Sequence, residues 1–346
     1  MSNQAQAPGT FIISLDFELH WGVRDVRTVE QYRENLIGVR RAVPALLETF
    51  AEYSVHATWA TVGFLFFSRR SDLVRSLPIE RPQYRDARLS PYADVETIGV
   101  DEDQDPFHFA RSLLEQIRSA PFQEIGTHTF SHYYCLEATQ RVAAFRADLE
   151  AAMTAAEEFG VALKSIVFPR NQYDDCHLRI CAEVGLRAFR GNPQSFLYRP
   201  QIGANETLWL RAGRLLDSYF NVSSHNCYTM PSGRGEVPVN LAASRFLRPY
   251  NARQRTVQPL QERRVKDDLS YAAKRGLVYH LWWHPHNFGA NLDSNLGMLR
   301  RILDHYQLLR ERHGMQSRNM GECAVDRSEI KDHGAISEDH FARQGR

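Results

Sequence analysis

The sequence predicts an α/β fold built on a mainly parallel sheet, and two patterns carry that prediction. Short apolar runs of strand length alternate along the chain with longer stretches of helical periodicity, the order that generates βαβ units. Polar residues with chemical potential, Asp16, Glu18, His128 and His284, stand at the ends of such runs, and a parallel sheet presents its ligands at the carboxyl ends of its strands.

The elements follow in order. Phe11, Ile12, Ile13 and Leu15 read as a short buried first strand. Residues 32–53 place Leu36, Val39, Val43, Leu46, Leu47 and Phe50 at helical spacing, with Pro44 predicting a kink or an early break. Residues 55–62, rich in β-branched and aromatic side chains, give a second strand ending at Gly63, and 64–77 the helix after it. Residues 79–106 lose periodicity and gather Pro, Arg and Asp, as expected of an inserted surface loop or lid. Helix returns over 107–119. The third strand runs through Phe122 and Ile125 to His128, and an Ala/Glu-rich helix spans 138–159 before Gly160. A fourth strand at 165–168, a helix at 174–184 and a fifth strand at 187–190 continue the alternation. Residues 193–251 are harder to read, with short strand candidates around Leu208 and Leu216 and a Gly/Pro/Ser-rich loop at 230–238. A helix over 260–274, a last strand over 277–283 and an amphipathic helix over 293–313 complete the pattern. The chain thus divides into a flexible stretch 1–9, one catalytic domain 10–314 and a polar tail 315–346 that is expected to be disordered.

Composition narrows the function. With 43% hydrophobic and 24% charged residues and a net charge of +1, the chain is an ordinary globular protein. Its Lys and Arg form no basic stripe, which argues against a nucleic-acid partner. No apolar run approaches the roughly 20 residues needed to span a bilayer, and no leader-like segment precedes the first strand, so a cytoplasmic protein is expected. The five cysteines are odd in number and lack paired zinc-ligand spacing, which fits reduced thiols.

Two constellations carry chemistry. Side chains alternate along a strand, so Asp16 and Glu18 share a face while Phe17 points the other way. About 110 residues on, His128 and His132 stand four apart at the end of another strand. Two imidazoles and one carboxylate can hold a divalent metal and leave positions for water and substrate. With fourteen histidines such a pair is weak on its own, and His280 with His284 forms another; the ordered combination is what has weight.

These segments, Asp16-Phe17-Glu18, the run 57–63, Glu124-Ile125-Gly126-Thr127-His128 with Ser131-His132, and a strand ending at His284, resemble the polysaccharide deacetylase family, the NodB homology domain of carbohydrate esterase family 4. The resemblance runs from about residue 10 to 312. It implies a distorted (β/α) barrel with fewer than eight regular units and metal-dependent hydrolysis of an acyl group on a sugar. Better-known members carry adjacent aspartates in the first motif, a base and a metal ligand. Phe17 stands at the second position here, so the resemblance implies Glu18 as the replacement ligand, as in an Asp-x-Glu branch. The family's Arg-x-Pro motif, whose arginine orients the base, reads here Phe168-Pro169-Arg170, leaving Arg170 to reach the same carboxylate from another position or to contact substrate.

On this reading Glu18, His128 and His132 hold one divalent ion, expected to be zinc, with cobalt, manganese, nickel or iron as substitutes. Asp16 is the base, the competing assignment being Asp16 as the ligand with Glu18 behind it or capping a neighbouring loop, and His284 is the general acid for the leaving amine, with His286 its rival. The substrate is expected to be an N-acetylated amino sugar or a surface-polysaccharide precursor. The alternatives are an allantoinase-like hydrolase of cyclic amides and a carbohydrate-binding protein without turnover. Trp282, Trp283, Tyr133 and Tyr134 are candidates for stacking on sugar rings.

Overall fold

The computed structural model describes residues 7–139, 142–193, 195–198, 208–232 and 236–324. Among them, nine strands form one sheet: β1 Thr10–Phe17, β2 Ala57–Thr61, β3 Gln123–Thr127, β4 Ser165–Val167, β5 Ala188–Arg190, β6 Val239–Asn240, β7 Arg245–Phe246, β8 Val278–Trp283 and β9 Gln316–Ser317. The order β6-β5-β4-β3-β2-β1-β8-β7, with β9 added to β1, is parallel at every pairing. The sheet curls around a narrow interior as an incomplete, distorted (β/α) barrel, the parallel sheet being what the sequence pattern predicts and the barrel what the family resemblance implies.

Strand alternation sorts the residues into two environments. Outward-facing Phe11, Ile13, Leu15, Phe17, Trp59 and Trp283 join the helices in the large apolar core. On the inward faces Ile12, Ala60, Val167, Ala188 and Val278 line a small apolar cluster, and Ser14, Asp16, Arg190 and His280 follow on the same faces. A barrel this tight cannot take large apolar side chains from every strand, so its upper interior is available for a buried polar network.

The helices mostly fall where periodicity puts them: Val29–Glu52, Arg111–Ser119, Val142–Glu158, Asp175–Glu183, Gln258–Arg275 and Leu292–His313. Pro44 does not break the first of these, which begins with a capping box between Thr28 and Gln31 and runs unbroken past it. That helix closes on the turn Pro285–Gly289 so tightly that a Cβ at Gly38 or Gly289 would overlap the opposing backbone. Asn35 Nδ2 donates to the His286 carbonyl (3.0 Å) and Tyr32 Oη to Asn287 Oδ1 (3.0 Å), fixing the loop that carries His284.

Several expectations change. The 64–77 helix divides into a 3-10 turn at Gly63–Phe66 and a short helix at Arg70–Arg75. The inserted loop is anchored by buried Leu89, Tyr92, Val95 and Ile98. The strands expected near Leu208 and Leu216 are one helix, Leu208–Asp217: its apolar residues recur at helical rather than alternating spacing.

The first ten residues of the expected disordered tail are ordered. Met315 and Met320 are buried, β9 pairs with β1, and the helix Met320–Ala324 closes the lower end of the barrel. There Gly321 N–H donates to the half-buried Glu124 carboxylate (2.8 Å), which also accepts from Thr58 Oγ1 (2.6 Å) and Ser165 Oγ (2.8 Å). Sequence reading underrated this segment because it lacks apolar periodicity, whereas it docks through two methionines, backbone amides and the polar side chains of Ser317 and Glu322. The expectations for residues 1–6 and 325–346 lie outside the described residues.

Candidate metal centre

The carboxyl ends of five strands deliver the site. Asp16 comes from β1. His128 N–H continues the ladder past β3 to the Thr61 carbonyl (2.8 Å), Val167 ends β4, Arg190 ends β5 and His284 follows β8. His132 arrives from a turn in which Thr129 (φ 64°) and His132 itself (φ 57°) adopt left-handed backbone. That turn is clamped from the helix Val142–Glu158 by the fully buried Asp148, which accepts from Phe130 N–H (2.7 Å), Ser131 N–H (3.1 Å) and the Ser131 hydroxyl. Burial raises the Asp148 carboxyl to about 6 even against these three donors.

Glu18, His128 and His132 converge. Glu18 Oε2 lies 3.2 Å from His128 Nε2 and 3.1 Å from His132 Nε2, all three residues being buried. The far nitrogen of His128, Nδ1, is 2.8 Å from the Val167 carbonyl, an acceptor. Nδ1 therefore carries the proton, and Nε2 turns a lone pair toward a carboxylate oxygen. Two electron-rich groups held this way need a cation between them, so the donor set fits a divalent metal ion. Burial lowers the His132 pKa against the raising influence of Glu18, favouring the neutral imidazole that ligation requires. For Glu18, burial raises the pKa, but His284, His128 and His132 outweigh it and hold the carboxyl well below its ordinary value.

Asp16 is held differently. Arg190 grips it with two parallel hydrogen bonds, Nη1 to Oδ1 (2.6 Å) and Nη2 to Oδ2 (2.7 Å), both side chains being almost fully buried. Burial raises the Asp16 pKa, and Arg190, followed by His128 and His284, more than reverses this, so the carboxyl stays ionised. Arg190 Nη1 also donates to Ser14 Oγ (3.0 Å), and its guanidinium lies over the Trp282 ring (4.1 Å). His280 donates from Nδ1 to the Leu241 carbonyl (2.9 Å), which leaves Nε2 to accept from the Ser14 hydroxyl (2.8 Å). His284 Nε2 sits 3.7 Å from Asp16 Oδ2 and 3.5 Å from Glu18 Oε1 with 23% of its side chain exposed, so it faces both the carboxylates and the opening.

The structure therefore brings together Asp16, Glu18, His128, His132 and His284, but not Arg170. Arg170 pairs with Asp25 and lies over Tyr134 at 4.2 Å. The reason is local: Arg170 (φ 53°) and Asn171 (φ 51°) are consecutive left-handed residues, and the turn sends Asn171 Oδ1 toward Arg190 (3.3 Å) while Arg170 swings outward. The arginine on Asp16 is Arg190, one strand later, which sequence reading missed. Its signal was a cation placed at the end of the strand 187–190, the position already used to select Asp16 and His128. His286 stacks behind His284 (5.0 Å) and is buried, which with the neighbouring His284 pushes its pKa down to about 3. Tyr133 and Trp283 are core residues, Cys135 is fully buried, and Trp282 carries Arg190.

Comparison with known proteins agrees with this architecture. Residues 37–189 match the family model for Polysaccharide deacetylase. No curated protein matches it by sequence. Among solved structures, a candidate polysaccharide deacetylase from Mycobacterium smegmatis is similar at TM-score 0.57 and 14% identity, over 98% of this chain and 94% of the other. Puue allantoinase is similar at 0.53 and 11%, over 97% and 91%. A further candidate polysaccharide deacetylase, from Pseudomonas aeruginosa PAO1, is similar at 0.50 and 12%, over 95% and 91%. At these identities the likeness is one of fold.

Proposed function

We propose that the protein is a metal-dependent hydrolase that removes an acyl group, in the first instance N-acetyl, from an amino sugar or surface-polysaccharide precursor. The observation that carries this reading is the convergence of Glu18, His128 and His132 beside an ionised Asp16 gripped by Arg190. A divalent ion on those three residues, zinc being the best match to the donor set, would lower the pKa of water and polarise the acyl carbonyl. Asp16, kept ionised by Arg190, accepts the proton from the attacking water, and Arg190 fixes the direction of the carboxylate. His284, the more open imidazole, donates a proton to the departing amine. His286, pressed behind it, keeps the ring in place.

The deacetylase reading rests on the family-model match over residues 37–189 together with this site, and the fold is similar to that of an allantoinase, so allantoin is the control substrate. The odd number of cysteines, five, supports a reducing, cytoplasmic setting, and among the described residues no helix is long and apolar enough to cross a membrane.

The experiment is metal analysis alongside turnover of a chromogenic acetyl ester and of N-acetylated amino sugars. Asp16→Asn should keep its metal and lose activity by about 100-fold or more, while Glu18→Ala should lose both. Metal lost from Asp16→Asn and retained by Glu18→Ala would reverse the two roles. Full activity in metal-stripped protein would refute the mechanism.

A further inference from the structure

Glu18 reaches the two histidines by an unusual route. It stands just beyond the end of β1, and the next residue, Leu19, has left-handed backbone (φ 48°) and opens a single 3-10 turn, Leu19–Gly22. This turn brings Gly22 under the Glu18 side chain. A Cβ built on Gly22 would meet the Glu18 Cδ, Oε1 and Oε2 atoms far inside van der Waals contact, and these are its three nearest atoms. Gly22 is not among the glycines with positive φ, so its backbone conformation is open to any residue. Glycine is needed there for space alone, and the space is filled by the ligand carboxylate.

We propose that Gly22 is a metal-positioning residue: the missing side chain at this position is the floor on which the Glu18 carboxylate lies to meet His128 and His132. This inference rests on the metal reading above and adds a determinant to it. Glu18 shares a face with Asp16 but stands one residue past the strand end, where the chain turns beneath it, so the carboxylate needs a turn with no side chain below it. Asp16-Phe17-Glu18 and Gly22 are then one unit, and the glutamate works only with the glycine.

The test uses full-length protein, zinc as the probe and a competing chelator as the readout. Gly22→Ala should fold, because the atoms in the way are the movable end of one side chain, and it should bind zinc about 10–100-fold more weakly than the wild type. A second readout needs no metal. In the zinc-free protein, adding Gly22→Ala to Glu18→Ala should leave the melting temperature unchanged, since no carboxylate remains to be displaced. Wild-type zinc affinity in Gly22→Ala would overturn this inference and leave the proposed function standing. A wild type that binds no divalent ion would overturn the proposed function and this inference with it. If Gly22→Ala fails to fold, recovery of folding in Gly22→Ala with Glu18→Ala supports the assignment, and continued failure there refutes it, because the methyl group would then clash with something other than Glu18.

Discussion

Removing the arginine that holds Asp16 exposes how the centre is balanced. In Arg190→Met the aliphatic bulk stays, while Asp16 loses both charge-assisted hydrogen bonds and Ser14 Oγ loses a donor. Breaking one side of a buried ion pair costs about 3–5 kcal/mol, because an uncompensated charge is left behind. His128 and His284 remain close enough to Asp16 to favour its ionised form, so a loss near the lower end, about 3 kcal/mol, is expected at neutral pH. The pH dependence follows from the direction of the shift. In the native chain the Asp16 pKa is lowered, so its stabilising contribution is present above the ordinary carboxyl range and is lost as the pH falls through the lowered native value. Without Arg190, burial prevails and the carboxyl shifts upward, so acidification protonates it and relieves the penalty. Urea unfolding of metal-free protein at about pH 7 and about pH 5 should therefore show the variant's deficit shrinking with acid. The double variant Arg190→Met/Asp16→Asn should recover most of the stability. A deficit below about 1 kcal/mol at neutral pH, or one that persists unchanged in the Asp16→Asn background, would refute the reasoning.

Asp148→Ala leaves the Phe130 and Ser131 amides without their acceptor, at about 1–3 kcal/mol for each buried group, and should weaken zinc binding by loosening the turn that carries His132; unchanged zinc affinity would restrict Asp148 to a structural role. Burial raises the Asp148 pKa to about 6, so this group favours folding at low pH and that advantage is lost as the pH rises through about 6. Asp148→Asn should flatten that part of the stability profile, as followed by thermal melting across the range. Ending the chain at Gly314 removes buried Met315 and Met320 and the Gly321 donor to Glu124, for a loss of about 3–6 kcal/mol from the two methionines alone; a truncated protein with wild-type stability would show that the barrel floor needs no closure.

The sequence by itself determined the parallel α/β plan, because burial of one stripe on each helix and of nearly every position on each strand leaves a periodicity that a linear reading can detect. It also yielded most of the site. Asp16, His128 and His284 each follow an apolar run, and strand geometry carries such residues to one edge of the sheet whatever the exact strand order. What pairs with them depended on the tertiary structure. Arg190 and Arg170 both lie near strand ends, and only the left-handed turn at Arg170-Asn171 and the narrow interior lead one inward to Asp16 and the other outward to Asp25. The helix Leu208–Asp217 and the closing segment 315–324 were misread because short elements carry too few turns of pattern, and the latter docks through backbone amides that no side-chain periodicity records. Gly22 shows the same limit most sharply. Along the chain it is one glycine among twenty; folding the turn at Leu19 brings it beneath a carboxylate, and that contact is what makes its missing side chain matter.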